Sequence, residues 1–201
     1  MQLKESFYIR KDVIKIARDL IGKVLVTNFE NQLTSGIILE TEAYNGIIDK
    51  ASHAYNNRRT SRTEIMFHKG GTAYVYLCYG IHSLFNVVTN SENIPHAVLV
   101  RAIQPLDGIS IMEKRRKLSS TRKNFSAGPG TVSASLGIHF SKSGLSLFTD
   151  KIWIEDRNIK IKASEIKITP RIGVDYAGED ALLPYRFLID KLNDPLLYCI
   201  S

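Results

Sequence analysis

Apolar and polar positions near the start of the chain follow two different periods. Across residues 12–21 the apolar side chains recur every three or four positions, and Asp12 and Gly22 supply an N-cap and a stop, which predicts a helix. Residues 23–29 and 33–44 are instead rich in β-branched and apolar side chains, and three polar residues separate them. This pattern predicts two strands joined in a hairpin.

The rest of the chain mixes strand patterns with two short helices. Residues 45–71 are polar and have no clear period, and a loop of this length is usually functional or disordered. Helices are predicted within residues 105–117 and from the Gly-Pro-Gly at 128–130 to Gly137. Further strand patterns lie at residues 72–80, 84–90, 96–105, 151–156, 158–163 and 185–190. Because helices do not alternate with strands, the sequence predicts an α+β fold: a single mixed domain over residues 1–201, built on a curved antiparallel β-sheet flanked by helices.

Composition and charge narrow the range of partners. With 201 residues, 44% of them hydrophobic, the chain can bury one sizeable core. Lysine and arginine total 27 against 20 acidic residues, which suits a polyanion, nucleic acid first and an anionic membrane second. No apolar run approaches the roughly 20 residues that cross a bilayer, and the charged start does not resemble a signal peptide, so we expect no membrane partner. Cys78 and Cys199 lack metal-ligand spacing, so we expect no metal site and a reducing cytoplasm.

Two carboxylates interrupt a strand whose other residues are largely apolar. Glu40, Glu42 and Tyr44 occupy alternate positions, so their side chains share one face of the predicted strand. Asn45 and Gly46 then close the strand with a turn. One interpretation is a sheet face turned to water, and the other is a cleft in which a carboxylate and an aromatic ring meet a substrate.

Tyrosines cluster in the strand pattern that follows the long loop. Tyr74 and Tyr76 point to one face, whereas Tyr79 breaks the alternation just before Gly80, where the chain is predicted to turn. An exposed aromatic ring at a hairpin tip suits a side chain that wedges into the minor groove of DNA. Tyrosines also pack against cross-strand neighbours in many sheets, so ordinary packing remains an alternative.

Basic residues concentrate in the long polar loop. Arg58, Arg59 and Arg62 stand among Asn, Ser and Thr residues, a setting typical of phosphate contacts that position a DNA duplex. A solvated loop is the alternative. His53 lies in the same loop, and a histidine considered alone is more often structural than catalytic.

Two polar residues stand within apolar strand patterns. Arg101 lies among valines and a leucine and needs a carboxylate partner, for which Glu40 and Glu42 are candidates. Asn86 also has apolar neighbours, and a buried amide needs hydrogen-bond partners. Together with the tyrosines, these residues are what an enclosed polar site inside a sheet would contain.

The combination of these motifs resembles the 3-methyladenine DNA glycosylase family of the alkyladenine type. The resemblance extends from about residue 10 to residue 190 and rests on ETEAYNG (40–46), TAYVYLCYG (72–80), AVLVRAIQPLDG (97–108), AGPG (127–130) and RIGVDYAGE (171–179). It implies a single mixed domain on a curved antiparallel sheet and no metal or organic cofactor. It also implies a monomer of the compact bacterial type that acts on double-stranded DNA containing damaged purines, in the cytoplasm on the bacterial nucleoid.

The resemblance also implies roles for individual residues. Glu42 corresponds to the general base that activates the water attacking C1′ of the deoxyribose. Tyr44 and Tyr76 correspond to rings that sandwich the extruded base, and His53 corresponds to the residue on its remaining face and edge. Tyr79 corresponds to the side chain that enters the minor groove and fills the gap left by the flipped nucleotide.

Other positions complete the implied pocket or depart from the family pattern. Asn86 corresponds to a residue that disfavours the exocyclic amino group of guanine. Arg101 corresponds to an arginine that helps to hold the carboxylate and the phosphate region of the lesion. Thr131 stands where relatives are expected to have a lysine near the DNA backbone, so the backbone amides at Gly128 and Gly130 are expected to hold the phosphate instead.

The activity that the resemblance implies is base-excision repair. The protein would flip an alkylated or deaminated purine out of the duplex and hydrolyse its N-glycosidic bond with a water activated by Glu42. No lysine lies in the pocket motifs, so a monofunctional enzyme without strand cleavage is expected. Ile81 and Phe85 differ from sulfur-containing residues of some relatives, and the lesion preference can differ with them.

Two other functions remain open from the sequence. A non-catalytic binding module for damaged or bent DNA would keep Tyr79 and the arginines but would not need Glu42. An unrelated glycoside hydrolase would need two carboxylates separated by about 5 or 6.5–9.5 Å, which Glu40 and Glu42 can meet. The tyrosines and the basic loop make the glycoside hydrolase the weaker alternative.

Overall fold

Strands dominate the computed structural model, which describes residues 1–190 and 192. The strands are β1 (Val24–Phe29), β2 (Gln32–Tyr44), β3 (Ala73–Cys78), β4 (His82–Thr89), β5 (His96–Pro105), β6 (Ile152–Glu155), β7 (Lys167–Thr169) and β8 (Arg186–Leu188). They form one strongly curled antiparallel sheet in the order β3-β4-β5-β2-β1-β6, and β8 pairs with both β2 and β7.

Short helices flank the sheet within the described part of the chain. The α-helices are α1 (Glu5–Tyr8), α2 (Val13–Asp19), α3 (Ile109–Arg116) and α4 (Pro129–Leu136). Turns of 3₁₀-helix lie at Gly46–Ile48, Tyr55–Asn57, Glu64–Phe67, Phe140–Lys142, Ala163–Glu165 and Asp175–Leu182. The predicted cap of α2 is confirmed, because the Asp12 carboxylate accepts a hydrogen bond from the backbone N–H of Lys15 at 2.9 Å.

Strand β2 is the longest strand and has neighbours along both edges. Its first half pairs with β1, and its last part pairs with β8, where Glu40 lies opposite Leu188 and Glu42 lies opposite Arg186. Strand β5 pairs along the other edge, with a register irregularity around Glu40. The two acids therefore lie in the interior of the sheet, where water does not reach the backbone from either side.

The hydrophobic core lies between the sheet and helices α2 and α4. Ile16 of α2 and Leu136 of α4 are fully buried and pack in one cluster with strand residues such as Val98 and Ile37. Fully burying a side chain of this size contributes about 1.5–3 kcal/mol to the free energy of unfolding. This core holds the curved sheet in place and leaves its other surface available for a site.

The predicted fold class is confirmed, since the described residues form an α+β domain on a curled antiparallel sheet. One strand prediction is wrong, because residues 158–163 do not pair with the sheet. Their alternating isoleucines pack on the core instead, and Ile161 lies so close to Gly22 that a Cβ there would come within 2.9 Å of it. The alternation of apolar and polar residues thus predicted which side chains are buried, but it did not predict whether the backbone pairs with a strand.

Two elements were missing from the sequence prediction because they are very short. Helix α1 has 4 residues and strand β7 has 3, too few for a period to show. Cys199 lies outside the described residues. Within residues 1–190 and 192, no helix combines the length and apolar character needed to cross a membrane.

Candidate active site

A cavity of about 220 Å³ lies against strands β2 to β5 and gathers most of the residues singled out in the sequence. Its aromatic and polar walls are Tyr44, His53, Tyr74, Tyr76, Tyr79, Asn86, Arg101 and Tyr176. Pockets that hold drug-sized ligands have roughly 300–1,000 Å³, so this smaller cavity suits one small planar molecule. All five predicted base-binding residues line this one cavity.

Glu42 lies directly behind the cavity wall. Its side chain has no accessible surface and does not line the cavity itself. Oε1 accepts the backbone N–H of Ile172 at 2.8 Å, whereas Oε2 accepts the hydroxyl of Tyr44 at 2.9 Å and Nη1 of Arg101 at 3.3 Å. All three donors belong to residues of the cavity wall. The carboxylate is thus one hydrogen bond away from the cavity, and a sheet face turned to water is the wrong interpretation for Glu42.

The surroundings of Glu42 act on its pKa in opposite directions. Burial raises the pKa of Glu42, and Arg101, the Ile172 amide and the Tyr44 hydroxyl oppose this rise because they stabilise the carboxylate. A carboxylate with a raised pKa is a stronger base. Burial and the charge of Glu42 also raise the pKa of Tyr44, so the phenol stays protonated and donates the hydrogen bond.

Glu40 has a different environment on the same face of β2. Its Oε1 accepts Nε of Arg101 at 2.9 Å and Nε of Arg186 at 2.6 Å. The prediction that Arg101 pairs with these acids is confirmed, since Arg101 bridges Glu40 and Glu42. Two arginines on one carboxylate neutralise Glu40 and fix its orientation, which is typical of a structural ion pair.

Behind Tyr44 lies a buried arginine. Both side-chain oxygens of Asp49 accept hydrogen bonds from Arg171, at 2.5 and 2.9 Å, and neither side chain is exposed. Arg171 also donates to the carbonyl of Ala43 at 2.9 Å, and its Cζ lies 4.9 Å from the centroid of the Tyr44 ring. These contacts restrain the Tyr44 ring, and they fix the chain next to Ile172.

His53 stands against two tyrosines. Its Nδ1 and the Tyr74 hydroxyl are 2.9 Å apart, and its ring meets the Tyr76 ring edge-on at 4.7 Å. Burial is the main reason why the pKa of His53 is lowered to about 4, and the positive charges of Arg62 and Arg58 contribute to the same shift. The imidazole is therefore neutral at neutral pH.

Asn86 on β4 is held rigidly at the cavity. Its Nδ2 donates to the carbonyls of Tyr74 at 3.1 Å and Leu84 at 3.2 Å, and the side chain is buried. The amide partners that the sequence required are thus supplied by neighbouring backbone. A side chain fixed in this way restricts the outline of any molecule in the cavity.

Tyr79 protrudes at the tip of the β3–β4 hairpin, as the sequence predicted. Its side chain is 92% exposed, and its backbone adopts a φ of 50°, followed by Gly80 at 72°. The Ile81 N–H donates to the Cys78 carbonyl at 3.1 Å and closes the turn. A left-handed conformation is unfavourable for a bulky aromatic residue, so the tip holds Tyr79 outward at a cost in stability.

The basic loop does not form one uniform patch. Arg59 makes a two-point ion pair with Glu64, at 2.8 and 2.7 Å, and its guanidinium lies over the ring of Phe67. The Arg62 guanidinium lies 4.9 Å from the centroid of the Tyr76 ring, whereas Arg58 is exposed. Arg62 thus belongs to the surroundings of the cavity, while Arg58 and Arg59 lie further out on the loop.

The start of helix α4 adjoins the cavity through Pro129. Gly128 precedes the helix, and a side chain at Gly130 would approach His82 to 3.1 Å. The Thr131 hydroxyl donates to the carbonyl of Gly128 at 2.7 Å. At the position where a lysine was expected, the side chain is therefore turned back onto its own helix, which leaves the backbone amides as the exposed polar groups of this end.

Four residues of the site were given no role of their own from the sequence. Tyr74 and Tyr176 line the cavity, and Arg171 and Arg186 hold Tyr44 and Glu40 from behind. The signal that could have found two of them is the segment RIGVDYAGE, which carried the family resemblance and contains Arg171 and Tyr176. Among the residues that the structure describes, no three His, Cys, Asp or Glu side chains group closely enough to hold a metal ion.

The comparison with known proteins identifies the family of the chain. The family model of the methylpurine-DNA glycosylases matches residues 6–193. A protein of Chlamydia felis named "Putative 3-methyladenine DNA glycosylase" is 49% identical over 94% of this chain and 96% of its own length. Proteins of the same name from Bacillus cereus and Clostridium perfringens are 44% and 41% identical, over 93% and 94% of the chain and 95% and 96% of their own lengths.

A match over nearly the whole chain, at identities above 40%, assigns the class of protein: the chain is a DNA glycosylase. More narrowly, the chain belongs to the methylpurine-DNA glycosylase family, whose members act in DNA repair. The family resemblance inferred from the sequence motifs is confirmed.

Proposed function

We propose that the protein is a monofunctional DNA glycosylase that extrudes damaged purines, alkylated or deaminated, from double-stranded DNA and hydrolyses their N-glycosidic bond. One observation carries this proposal: a base-sized cavity with aromatic walls has a buried, arginine-paired carboxylate, Glu42, one hydrogen bond behind it. Family membership supports the same reaction.

Extrusion of the base is assigned to the hairpin tip and the aromatic walls. Unstacking a nucleotide costs a few kcal/mol. Tyr79 would enter the minor groove and fill the gap, and the rings of Tyr44 and Tyr76 would stack on the extruded purine. The exposure of Tyr79 and the position of both rings in one cavity support these roles.

Hydrolysis is assigned to Glu42. Its carboxylate would take a proton from a water as the water oxygen bonds to C1′ and the bond from C1′ to the base nitrogen breaks with its electron pair on the base. The same negative charge would stabilise the positive charge that develops on the sugar. Glu42 has no accessible surface, and Tyr44 and Arg101 both donate to its Oε2, so the cavity wall would have to shift before a water reaches the carboxylate.

Selection of the base is assigned to Asn86 and His53. The Asn86 amide is fixed by two backbone carbonyls, so it would clash with the exocyclic amino group of guanine. Neutral His53, with Nδ1 beside the Tyr74 hydroxyl, would offer a hydrogen bond to the base edge. No lysine lines the cavity within the described residues, which supports hydrolysis without a Schiff base and strand cleavage.

The test uses duplex oligonucleotides that contain hypoxanthine, ethenoadenine or 3-methyladenine, with single-turnover release of the base as the readout. Glu42→Gln should lower the rate at least about 10³-fold and preserve binding to the lesion, because the general base is lost and the packing is kept. Glu40→Gln is the matched control, from the same strand face and the same arginine, and should lose far less activity.

Two outcomes would contradict the proposal. A purified wild-type protein that releases none of these bases would end the glycosylase assignment. Equal activity in Glu42→Gln and wild type would remove Glu42 as the base. A protein that binds lesion-containing DNA without releasing a base would instead be a non-catalytic binding module, which the inaccessibility of Glu42 in the empty protein would suit.

A further inference from the structure

Both tyrosines assigned to stacking have a guanidinium group over the ring. Arg171 Cζ lies 4.9 Å from the Tyr44 ring centroid, and Arg62 Cζ lies 4.9 Å from the Tyr76 ring centroid. Both rings line the cavity, whereas neither arginine does. Each guanidinium therefore contacts a ring of the cavity wall without itself lining the cavity.

The two guanidinium groups differ in how their charge is balanced. Arg171 is buried in a two-point ion pair with Asp49, so the pair has no net charge. Arg62 is exposed, and none of the ion pairs formed within residues 1–190 and 192 includes it. Arg62 is therefore an unbalanced positive charge that contacts a ring of the aromatic wall.

The charge of Arg62 acts on groups that line the cavity. Burial is the first reason for the lowered pKa of His53, about 4, and the positive charge of Arg62 is the second. The centroids of the His53 and Tyr76 rings are 4.7 Å apart, so His53 lies close to the place where a base would stack on Tyr76. A potential that opposes a proton on this imidazole also opposes a positive charge on a neighbouring purine.

We propose, on the basis of the glycosylase function proposed above, that Arg62 makes the pocket discriminate between purines by charge and disfavours a cationic purine relative to a neutral one. Aromatic rings alone would have the opposite effect, because their faces attract cations. The guanidinium that already occupies one face of Tyr76 opposes that attraction. N-alkylated purines that carry a positive charge would thus lose stacking energy, whereas neutral deaminated or etheno purines would not.

The size of the effect follows from the distance across the ring. The guanidinium is 4.9 Å from the ring centroid, and a base stacked on the other face adds roughly 3.5 Å. Two unit charges about 8 Å apart at a partly exposed site repel one another enough to change a rate by about three- to ten-fold. Removal of Arg62 should increase the relative excision of a cationic purine by this factor.

The experiment compares one cationic and one neutral lesion, 3-methyladenine and hypoxanthine, in the same duplex at saturating enzyme, and neither base carries the exocyclic amino group that Asn86 is proposed to exclude. The readout is the ratio of the two single-turnover rates, because general loss of DNA affinity and differences between the substrates cancel when variants are compared. Arg62→Gln should raise the ratio of 3-methyladenine to hypoxanthine release about three- to ten-fold. Arg62→Lys keeps the charge and should leave the ratio near that of wild type.

Arg59→Gln is the matched control for the loop. Arg59 also lies over an aromatic ring, but that ring belongs to Phe67, which does not line the cavity, and Glu64 balances its charge. The ratio should therefore stay within about two-fold of wild type. A change in Arg59→Gln as large as in Arg62→Gln would overturn the proposal, since it would assign the effect to loop charge in general.

Three further results separate the possible failures. An unchanged or lower ratio in Arg62→Gln overturns the charge discrimination but leaves the glycosylase function standing, because both bases are still released. A ratio in Arg62→Lys that matches Arg62→Gln also overturns it, since charge would not be the cause. A wild-type protein that releases neither base contradicts the glycosylase function itself.

Discussion

Glu42 and the hairpin tip with Tyr79 adjoin the same cavity, but their surroundings are opposite in kind. Glu42 has no accessible surface, and every contact of its carboxylate is with a donor fixed by the sheet or by the segment around Ile172. Tyr79 is 92% exposed and sits on a left-handed backbone. One region satisfies its polar groups within the protein, and the other leaves an aromatic ring in water.

The difference separates two requirements of the proposed reaction. A group that acts on a proton must keep a defined position and pKa before the substrate arrives, which hydrogen bonds and ion pairs provide. A side chain that acts as a wedge gains its favourable contacts only from the DNA. In the free protein its ring stays in water on a left-handed backbone, which costs stability. The following predictions test this contrast, from the largest expected effect to the smallest.

Arg171→Met should give the largest loss of stability. It leaves Asp49 as an unpaired buried carboxylate, which typically costs 3–5 kcal/mol in the free energy of unfolding. Arg171→Met combined with Asp49→Asn should recover part of this loss, because both charges are then absent. Denaturant unfolding measures both variants.

Arg59→Gln supplies the comparison for that experiment, since it removes an ion pair of the same two-point geometry from the surface. The loss should be much smaller, because water screens exposed charges. An equal decrease in the free energy of unfolding in Arg171→Met and Arg59→Gln would show that the buried ion pair stabilises the protein no more than an exposed one.

Acid should destabilise the pocket through His53. Its pKa is about 4 in the folded protein and near 6.5 when exposed. Between these values the unfolded chain binds a proton that the folded chain does not, so the free energy of unfolding decreases as the pH falls from 6.5 towards 4. We expect His53 to contribute on the order of 1–2 kcal/mol to this decrease.

The measurement is the free energy of unfolding of wild type and His53→Gln at pH values between 4 and 7.5. The variant should lose less stability than wild type across this window. Parallel curves for wild type and His53→Gln would mean that His53 is protonated equally in both states.

Tyr79→Gly should separate stability from activity. Glycine adopts the φ of 50° without steric conflict, so the free energy of unfolding should stay the same or rise by up to about 1 kcal/mol. Release of a base-paired lesion should fall at least about ten-fold, because the gap in the duplex is no longer filled. A lesion in a single strand should be affected much less.

The readouts are thermal unfolding and single-turnover release from paired and unpaired lesions. A large loss of stability in Tyr79→Gly would contradict the strained turn. Equal loss of activity on both substrates would instead assign Tyr79 to the pocket rather than to the wedge.

Much of the site could be predicted because its residues follow one another on strands. Alternation placed Glu40, Glu42 and Tyr44 on one face, and a lone arginine in an apolar strand indicated the ion pair of Arg101. The turn signal before Gly80 indicated an exposed Tyr79. In each case local geometry decides where a side chain points, so a short window of sequence is sufficient.

The rest depends on contacts between distant segments. Arg171 and Asp49 are 122 residues apart, and both lie outside strands and α-helices, so no period marks either. The contact of Arg62 with Tyr76 depends on the path of the loop after its 3₁₀ turn, which composition does not determine. For residues 158–163 the sequence predicted too much: the burial pattern was correct, but the β-pairing that it suggested does not form.

The enclosed carboxylate has a consequence for a protein that searches along undamaged DNA. Under the proposed function, the hydrolytic group stays latent until the cavity wall shifts, since Glu42 has no accessible surface and the Tyr44 hydroxyl and Arg101 both donate to its Oε2. An intact base that enters the cavity only briefly meets no activated water. Accuracy would then depend on how long a base stays in the cavity as well as on how well it fits.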